Sequence, residues 1–193
     1  MDSGKKSFLW LVTIFVAPIL LGTLLFFNLE RLGFEKGSVN YGILVQPAQP
    51  TKLEDLKQDN NPAVAEEVLT KKWTMLYIEN SESAVCDDFC LARLSNIKRI
   101  RLLMNEQMRR VRTVLVSNNE VAKSISSKDN PDLVMTEVTP NSNFLKQFPE
   151  QQLKPIYLID PFGNLMMYYP QPEPDLKKMI KDIRRLLKYS HLG

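Results

Sequence analysis

Trp73-Thr74-Met75-Leu76-Tyr77-Ile78, followed shortly by Cys86-Asp87-Asp88-Phe89-Cys90, is the stretch from which the rest of the chain can be read. The first run is apolar throughout, with aromatic and branched side chains and no charge, as a strand buried on both faces requires. Beyond the cysteines, Phe89, Leu94, Ile97, Leu103, Met104 and Met108 recur at spacings that suit one face of a helix. Arg93, Lys98, Arg99, Arg101, Arg109 and Arg110 fill the remainder and read as its solvated face, so a helix is predicted to about Arg110. Cys86 and Cys90 therefore fall at a strand-to-helix junction. Unpaired N–H groups and the helix dipole favour a thiolate there, which makes the first cysteine a nucleophile or a soft-metal ligand. The second cysteine, one turn later, shares its face. The pair can close a disulfide or hold a thiophilic ion such as Cu(I). Asp87 and Asp88 oppose the first thiolate and favour a cation. The spacing alone is a weak motif, and it also suits a structural pair in a domain that only binds partners.

Working outward, Val111 to Val116 reads as a strand, Asn119 to Ser126 as a short helix and Leu133 to Val138 as a further strand. Asn141 is placed to cap a turn of helix reaching Phe148. Ile156-Tyr157-Leu158-Ile159, then Asp160-Pro161-Phe162-Gly163, then Asn164 to Tyr169, form a hairpin signature. Proline at the second turn position and glycine at the fourth suit a type I turn. Pro172 and Pro174 break the chain before a last helix, Asp175 to Lys188, with Leu176, Ile180, Ile183 and Leu187 on one side. A βαβ unit, a hairpin and a closing helix predict an α/β thioredoxin-like domain over residues 61–193. Residues 28–60 read as a stalk or linker: Gly37 to Asn61 is rich in Pro, Gln, Asn and Asp, and its one short apolar island, Tyr41 to Val45, reads as a single strand carried by the stalk.

Residues 8–27, FLWLVTIFVAPILLGTLLFF, carry no charge and are long enough to cross a lipid bilayer as a helix. The run passes into Asn28, Leu29, Glu30 and Arg31 without a small-residue cleavage site, so it reads as an uncleaved anchor. Pro18 and Gly22 are tolerated in such helices. A short tail, residues 1–7, with Lys5 and Lys6, favours the N-terminus in the cytoplasm and the large domain outside, while Arg31 and Lys36 after the span nearly balance the charge count. The net charge of +3 is interspersed, which excludes a nucleic-acid footprint. Two cysteines exclude a disulfide-dense scaffold. Glu66-Glu67 and Asp87-Asp88 lack a histidine or metal constellation, so hydrolysis has no support. Met166 and Met167, as strand neighbours, point to opposite faces and read as packing residues.

The strand from Lys72 to Tyr77, the cysteine pair and the run Ile156-Tyr157-Leu158-Ile159-Asp160-Pro161-Phe162-Gly163 together resemble the Sco/SenC family. These are membrane-anchored thioredoxin-like proteins that help to assemble the copper centre of cytochrome c oxidase. The likeness covers roughly Trp73 to Leu187. It implies Cu(I) at Cys86 and Cys90, a copper-receiving oxidase subunit as partner, and a bacterial inner-membrane anchor with the domain in the periplasm. The departures are specific. The family's histidine ligand falls near Leu153, flanked by Gln152 and Lys154, and the chain's single histidine is His191 near its end. Asp87 and Leu91 replace the prolines of the family's cysteine loop. Pro155 stands where thioredoxin-like oxidoreductases carry a cis-proline facing the cysteines. The resemblance thus implies Cys86, Cys90 and Pro155 as the working residues of a thiol-disulfide protein, with a Cu(I) carrier as the alternative.

Overall fold

The structure, a computed structural model, describes residues 3–28, 39–53, 55–57, 68–80, 85–117, 121, 125 and 131–190. The chain divides into two compact units, Met1–Val39 and Asn40–Gly193.

The first unit contains helix α1, Ser3–Asn28, with Pro18 inside it. Its length and composition suffice to cross a membrane. The apolar side chains from Phe8 to Phe27 point outward, as a lipid-facing helix requires. Its polar side chains are satisfied internally: the Thr13 hydroxyl donates to Leu9 O at 2.8 Å and that of Thr23 to Ile19 O at 2.7 Å. No hydroxyl proton is left facing hydrocarbon without a partner.

The second unit is built on a seven-stranded sheet. Its strands are β1 (Ile43–Pro50), β2 (Leu56–Lys57), β3 (Trp73–Glu79), β4 (Val111–Ser117), β5 (Leu133–Val138), β6 (Ile156–Ile159) and β7 (Asn164–Tyr169), in the spatial order β1-β7-β6-β3-β4-β5-β2. β3, β4 and β5 run parallel, while β6, β7 and β1 continue the sheet antiparallel on one side and β2 on the other. Parallel neighbours need a crossover. Between β3 and β4 it is supplied by helix α2, Asp88–Leu103. Helix α3, Leu176–Tyr189, closes the unit.

β3 lies at the centre and is buried at every position. Its alternation divides the core in two. Trp73, Met75 and Tyr77 pack with Leu94, Ile97 and Ile100 of α2 and Met179, Ile183 and Leu187 of α3. Leu76 and Ile78 pack on the opposite face with Phe144, Phe148, Tyr157 and Leu69. Each fully buried aliphatic side chain contributes roughly 1.5–3 kcal/mol, so β3 and α2 are fixed to one another mainly by these contacts.

The hairpin forms as expected. Gly163 N donates to Asp160 O at 3.0 Å, and Gly163 has φ +86°, a conformation that favours glycine. The Asp160 carboxylate accepts from the backbone N–H groups of Phe162 and Asn164 at 2.9 and 2.8 Å. A register shift at Leu158/Ile159 leaves Met166 outside the ladder, while Met167 is fully buried.

Four features differ from the sequence expectation. The strand expected near Tyr41 to Val45 forms but extends to Pro50 as β1, a second strand, β2, follows, and as the two edges of the sheet they belong to the compact unit that begins at Asn40 rather than to a stalk over residues 28–60. Pro47 and Pro50 disguise β1, yet both are compatible with an edge strand. The α-helix ends at Leu103 rather than Arg110. Asn105 adopts the left-handed region, and a 3-10 segment, Asn105–Arg110, follows. Near Phe148 the hydroxyl of Ser142, not Asn141, accepts from Leu145 N, and the helical turn is the short 3-10 segment Leu145–Gln147. Arg93 is buried. The helix expected over Asn119 to Ser126 lies mostly outside the described residues.

The chain enters the sheet under close restraint. Asp182 of α3 is 3% exposed, and its carboxylate accepts from the backbone N–H groups of Tyr41 and Gly42 at 2.8 and 3.0 Å. A Cβ at Gly42 would lie 2.5 Å from Met167 Sδ, so only glycine fits there. Asp182→Ala strands two backbone donors at this entry and is expected to lower stability by about 3 kcal/mol. Urea denaturation of the detergent-solubilised chain measures it; an unchanged midpoint would show that the contact carries no stability.

Candidate functional site

The C-terminal end of β3, the N-terminus of α2 and the loop before β6 converge on Cys86 and Cys90. The two cysteines form a disulfide with Cα atoms 5.4 Å apart. Cys86 is 7% exposed and Cys90 is fully buried, and both belong to the core layer beneath α2. Asp87 is the N-cap of α2: its carboxylate accepts from Cys90 N at 2.8 Å. The cap fixes the first turn and holds the second sulfur in place, a contribution of about 1 kcal/mol.

Glu79, the last residue of β3, is 1% exposed. It accepts from the Tyr77 hydroxyl at 2.7 Å and pairs with Lys154 Nζ at 2.8 Å. The same ammonium lies 3.9 Å from Asp87 and 5.9 Å from the centroid of the Phe89 ring. Lys154 is delivered by an unusual loop. Glu150 and Lys154 both occupy the left-handed region, on either side of the 3-10 segment Gln151–Leu153. Non-glycine residues held there cost of order 1 kcal/mol each and cluster at functional sites. The Phe89 ring lies between two cations, since the Arg93 guanidinium carbon is 4.8 Å from its centroid. Arg93 is 1% exposed, and among the described residues none of its three guanidinium nitrogens has a hydrogen-bond partner. Burial pushes this guanidinium down from its ordinary value.

Of the residues singled out from the sequence, Cys86 and Cys90 are brought together. Pro155 is buried directly after Lys154, so its loop borders the cysteine loop through the Lys154–Asp87 contact. The cis peptide among the described residues is Gln46–Pro47, not Lys154–Pro155, so the cis-proline expectation is corrected. Pro155 lines a cavity of about 230 Å³ with Ile78, Asn80, Gln151, Lys154 and Tyr157. Leu153, at the position of the implied copper ligand, is 44% exposed and has no ligating atom. His191 and Glu66-Glu67 lie outside the described residues. Among the described residues no group of three His, Cys, Asp or Glu side chains is placed to hold a metal. The two cysteine sulfurs are soft donors that become available on reduction of the disulfide. Sequence reasoning missed Glu79, Lys154 and Arg93. A charged residue ending a buried apolar strand was the available signal for Glu79.

A buried disulfide at the junction of a central strand and a helix, in a parallel βαβ unit completed by a hairpin and a final helix, defines a thioredoxin-like α/β domain preceded by one apolar helix of membrane-spanning length. Residues 73–190 match the family described as transmembrane-like, thioredoxin-like, C-terminal domain, and the chain belongs to that family. No curated protein matches the chain. Solved structures share its fold. Copper-bound ScoI of Arabidopsis thaliana is 17% identical, with a TM-score of 0.50, over 63% of this chain and 87% of that one. Apo Sco1 of Thermus thermophilus is 13% identical, with a TM-score of 0.51, over 79% and 99%. A DsbF homologue from Corynebacterium diphtheriae is 13% identical, with a TM-score of 0.51, over 79% and 97%.

Burial, followed by the hydrogen bond to Glu79 and its charge, raises the Tyr77 phenol above its ordinary value of 10.0. A raised value favours the protonated form in the fold, so the contribution of Tyr77 to stability is complete below pH 10.0 and is lost as the pH rises beyond it. In an alkaline absorbance titration Tyr77→Phe is expected to leave the amplitude near pH 10.0 unchanged. Loss of one tyrosine's worth of that amplitude would contradict the buried placement.

Proposed function

We propose that this chain is a membrane-anchored thiol-disulfide exchange protein acting through Cys86 and Cys90. The observation that carries this reading is the disulfide set across the capped N-terminus of α2, in which Cys86 as a residue is 7% exposed and Cys90 is fully buried. In the reduced form the Cys86 thiolate attacks a disulfide of the partner. One partner thiolate leaves, and a mixed disulfide remains. The Cys90 thiolate then attacks the Cys86 sulfur and expels the second partner thiolate. Two electrons pass from the cysteine pair to the partner, and the Cys86–Cys90 bond is restored. The opposite direction uses the same steps in reverse. Pro155, beside the Lys154 contact, borders the surface where the partner's chain would lie.

The Sco/SenC likeness supports a cysteine-bearing, copper-receiving subunit of cytochrome c oxidase as the partner. It also supports a bacterial inner-membrane location with the domain in the periplasm. That compartment permits a disulfide to persist. Copper is bound in the Arabidopsis structure that shares the fold. For this chain a Cu(I)-carrying role rests on two thiolates with Leu153 in place of a third ligand, and soft sulfur donors suit that ion. The oxidised pair and the missing ligand favour exchange over carriage.

Equilibration of the detergent-solubilised full chain with glutathione buffers tests the reading. The pair is expected to titrate within the range of exchanging proteins, roughly −270 to −120 mV. Cys90→Ser should accumulate a mixed disulfide with glutathione, and Cys86→Ser should not. A pair that resists reduction to below about −300 mV would mark a structural bond and overturn the proposal. Tight one-to-one Cu(I) binding by the reduced chain, lost in both variants, together with a non-exchanging pair, would transfer the site to copper carriage.

A further inference from the structure

Arg93 has no structural role that its surroundings explain. It occupies the buried face of α2 with Cys90, Leu94, Ile97 and Ile100, where the other members are apolar or sulfur-bearing. At 1% exposure its charge has left water. Among the described residues its three guanidinium nitrogens receive no hydrogen-bond acceptor in exchange. Desolvating a cation without a partner costs several kcal/mol, and among the described residues the face of the Phe89 ring, at 4.8 Å, offsets part of it. A leucine or methionine would fill this stripe at no such cost. The guanidinium therefore has unused donor capacity in the oxidised state.

Its position indicates where that capacity is directed. Arg93 follows Cys90 by three residues, and positions three apart lie on one face of a helix. Long helical side chains run back toward the helix N-terminus, onto the preceding turn. The preceding turn here is the one that carries Phe89 and Cys90. The contact with Phe89, which lies between the two cysteines in sequence, shows that the side chain takes this course. Among the described residues, the other charged and titratable groups around the site are engaged or exposed. Glu79 is held by Tyr77 and Lys154, and Lys154 is shared with Asp87. Asp87 caps the helix, and Asp88 is exposed. Tyr77 and Tyr41 are the further groups that feel the Arg93 charge or contribute to its field.

We propose that Arg93 is the counter-ion of the thiolate formed when the Cys86–Cys90 disulfide is reduced, a positioning residue that is unpaired in the oxidised chain and paired in the reduced one. The inference rests on the exchange reading above. A partner dithiol supplies two electrons to the disulfide and becomes a disulfide itself. One cysteine of this chain takes up one of the dithiol's two protons, the other proton passes to water, and the second cysteine remains a thiolate, the negative charge that the buried guanidinium lacks. Its hydrogen bonds are made only then, so they stabilise the reduced state over the oxidised one and make the pair easier to reduce.

The test uses the full chain in detergent, chemically reduced, with Arg93→Met and Arg93→Lys beside the parent. Thiolate absorbance followed against pH reads the counter-ion directly, whether or not a partner exchanges with the pair. In Arg93→Met the thiolate is expected to appear about one pH unit higher or more, a loss of about tenfold in thiolate at a given pH; Arg93→Lys retains most of the effect. Equilibration with glutathione should shift about tenfold toward the disulfide in Arg93→Met, or about 30 mV. The oxidised Arg93→Met chain should resist urea at least as well as the parent, because an unpaired buried charge has been removed. Superimposable thiolate titrations in the parent and Arg93→Met would overturn the proposal. If Arg93→Met does not fold, Arg93→Gln carries the same titration, with the same two outcomes. A pair that glutathione cannot reduce would instead count against the exchange reading, leaving the thiolate titration to decide on Arg93.

Discussion

The buried carboxylate of Glu79 is the constraint around which the site is organised. It ends the central strand at a depth where an unpaired anion would cost several kcal/mol. Lys154 and the Tyr77 hydroxyl relieve that cost, and both must therefore be brought to it. Tyr77 arrives at no expense, being two residues away on the same face of β3. Lys154 arrives through a loop that places two residues in the left-handed region. The strain is sustained because the loop ends in Pro155 and the fully buried strand β6, which pairs antiparallel with β3. The ion pair thus links the end of the central strand to the start of the hairpin. Through Asp87 it also reaches the first turn of α2. Three elements meet at the disulfide because one carboxylate requires a partner.

The disulfide is ill placed to act as a staple. It closes a loop of five residues, and the loop-entropy relation gives about 2 kcal/mol for so small a ring, less than half of what a domain-spanning bridge supplies. The same residues are already held by the Asp87 cap and by the packing of Cys90 and Leu94 against β3. A bond that adds little constraint to a segment already fixed can be opened without loss of the fold. The core beneath α2 and α3 does not depend on it.

Much of this was legible in the sequence. Trp73 to Ile78, Val111 to Val116 and the Asp160–Gly163 turn were visible because each signal is local, an apolar run or a turn residue at a required position. The amphipathic pattern also located α3, with Asp175 as its cap. What was not legible depends on partners distant in sequence. The apolar island at Tyr41 to Val45 marks where β1 starts, but its continuation to Pro50 looks like a stalk because its prolines and exposed polar residues are those of an edge strand, and pairing with β7 carries it that far. Arg93 was assigned to the solvated side with Lys98 and Arg99. The stripe that is buried runs through Cys90, Leu94, Ile97 and Ile100, and its phase encloses position 93 while exposing Leu103. Lys154 gave no signal, since nothing local marks a lysine that turns inward to a carboxylate on another strand.

The charges around the cysteines conflict, and burial decides which of them matters. Read from the sequence, Asp87 and Asp88 beside Cys86 disfavour a thiolate. In the fold the Asp87 side chain is 57% exposed and is drawn toward the helix N–H groups and Lys154. An exposed charge acts through water, where an interaction at 4 Å is worth about 1 kcal/mol, whereas an effective dielectric near 20 multiplies this about fourfold. Arg93 acts from the second kind of environment and Asp87 largely from the first. The α2 dipole adds to the side of Arg93, and the Asp87 cap satisfies an amide without cancelling the field of the turn. Under the proposed pairing, it is the buried Arg93, rather than the aspartates nearest in sequence, that acts on the charge of the thiolate.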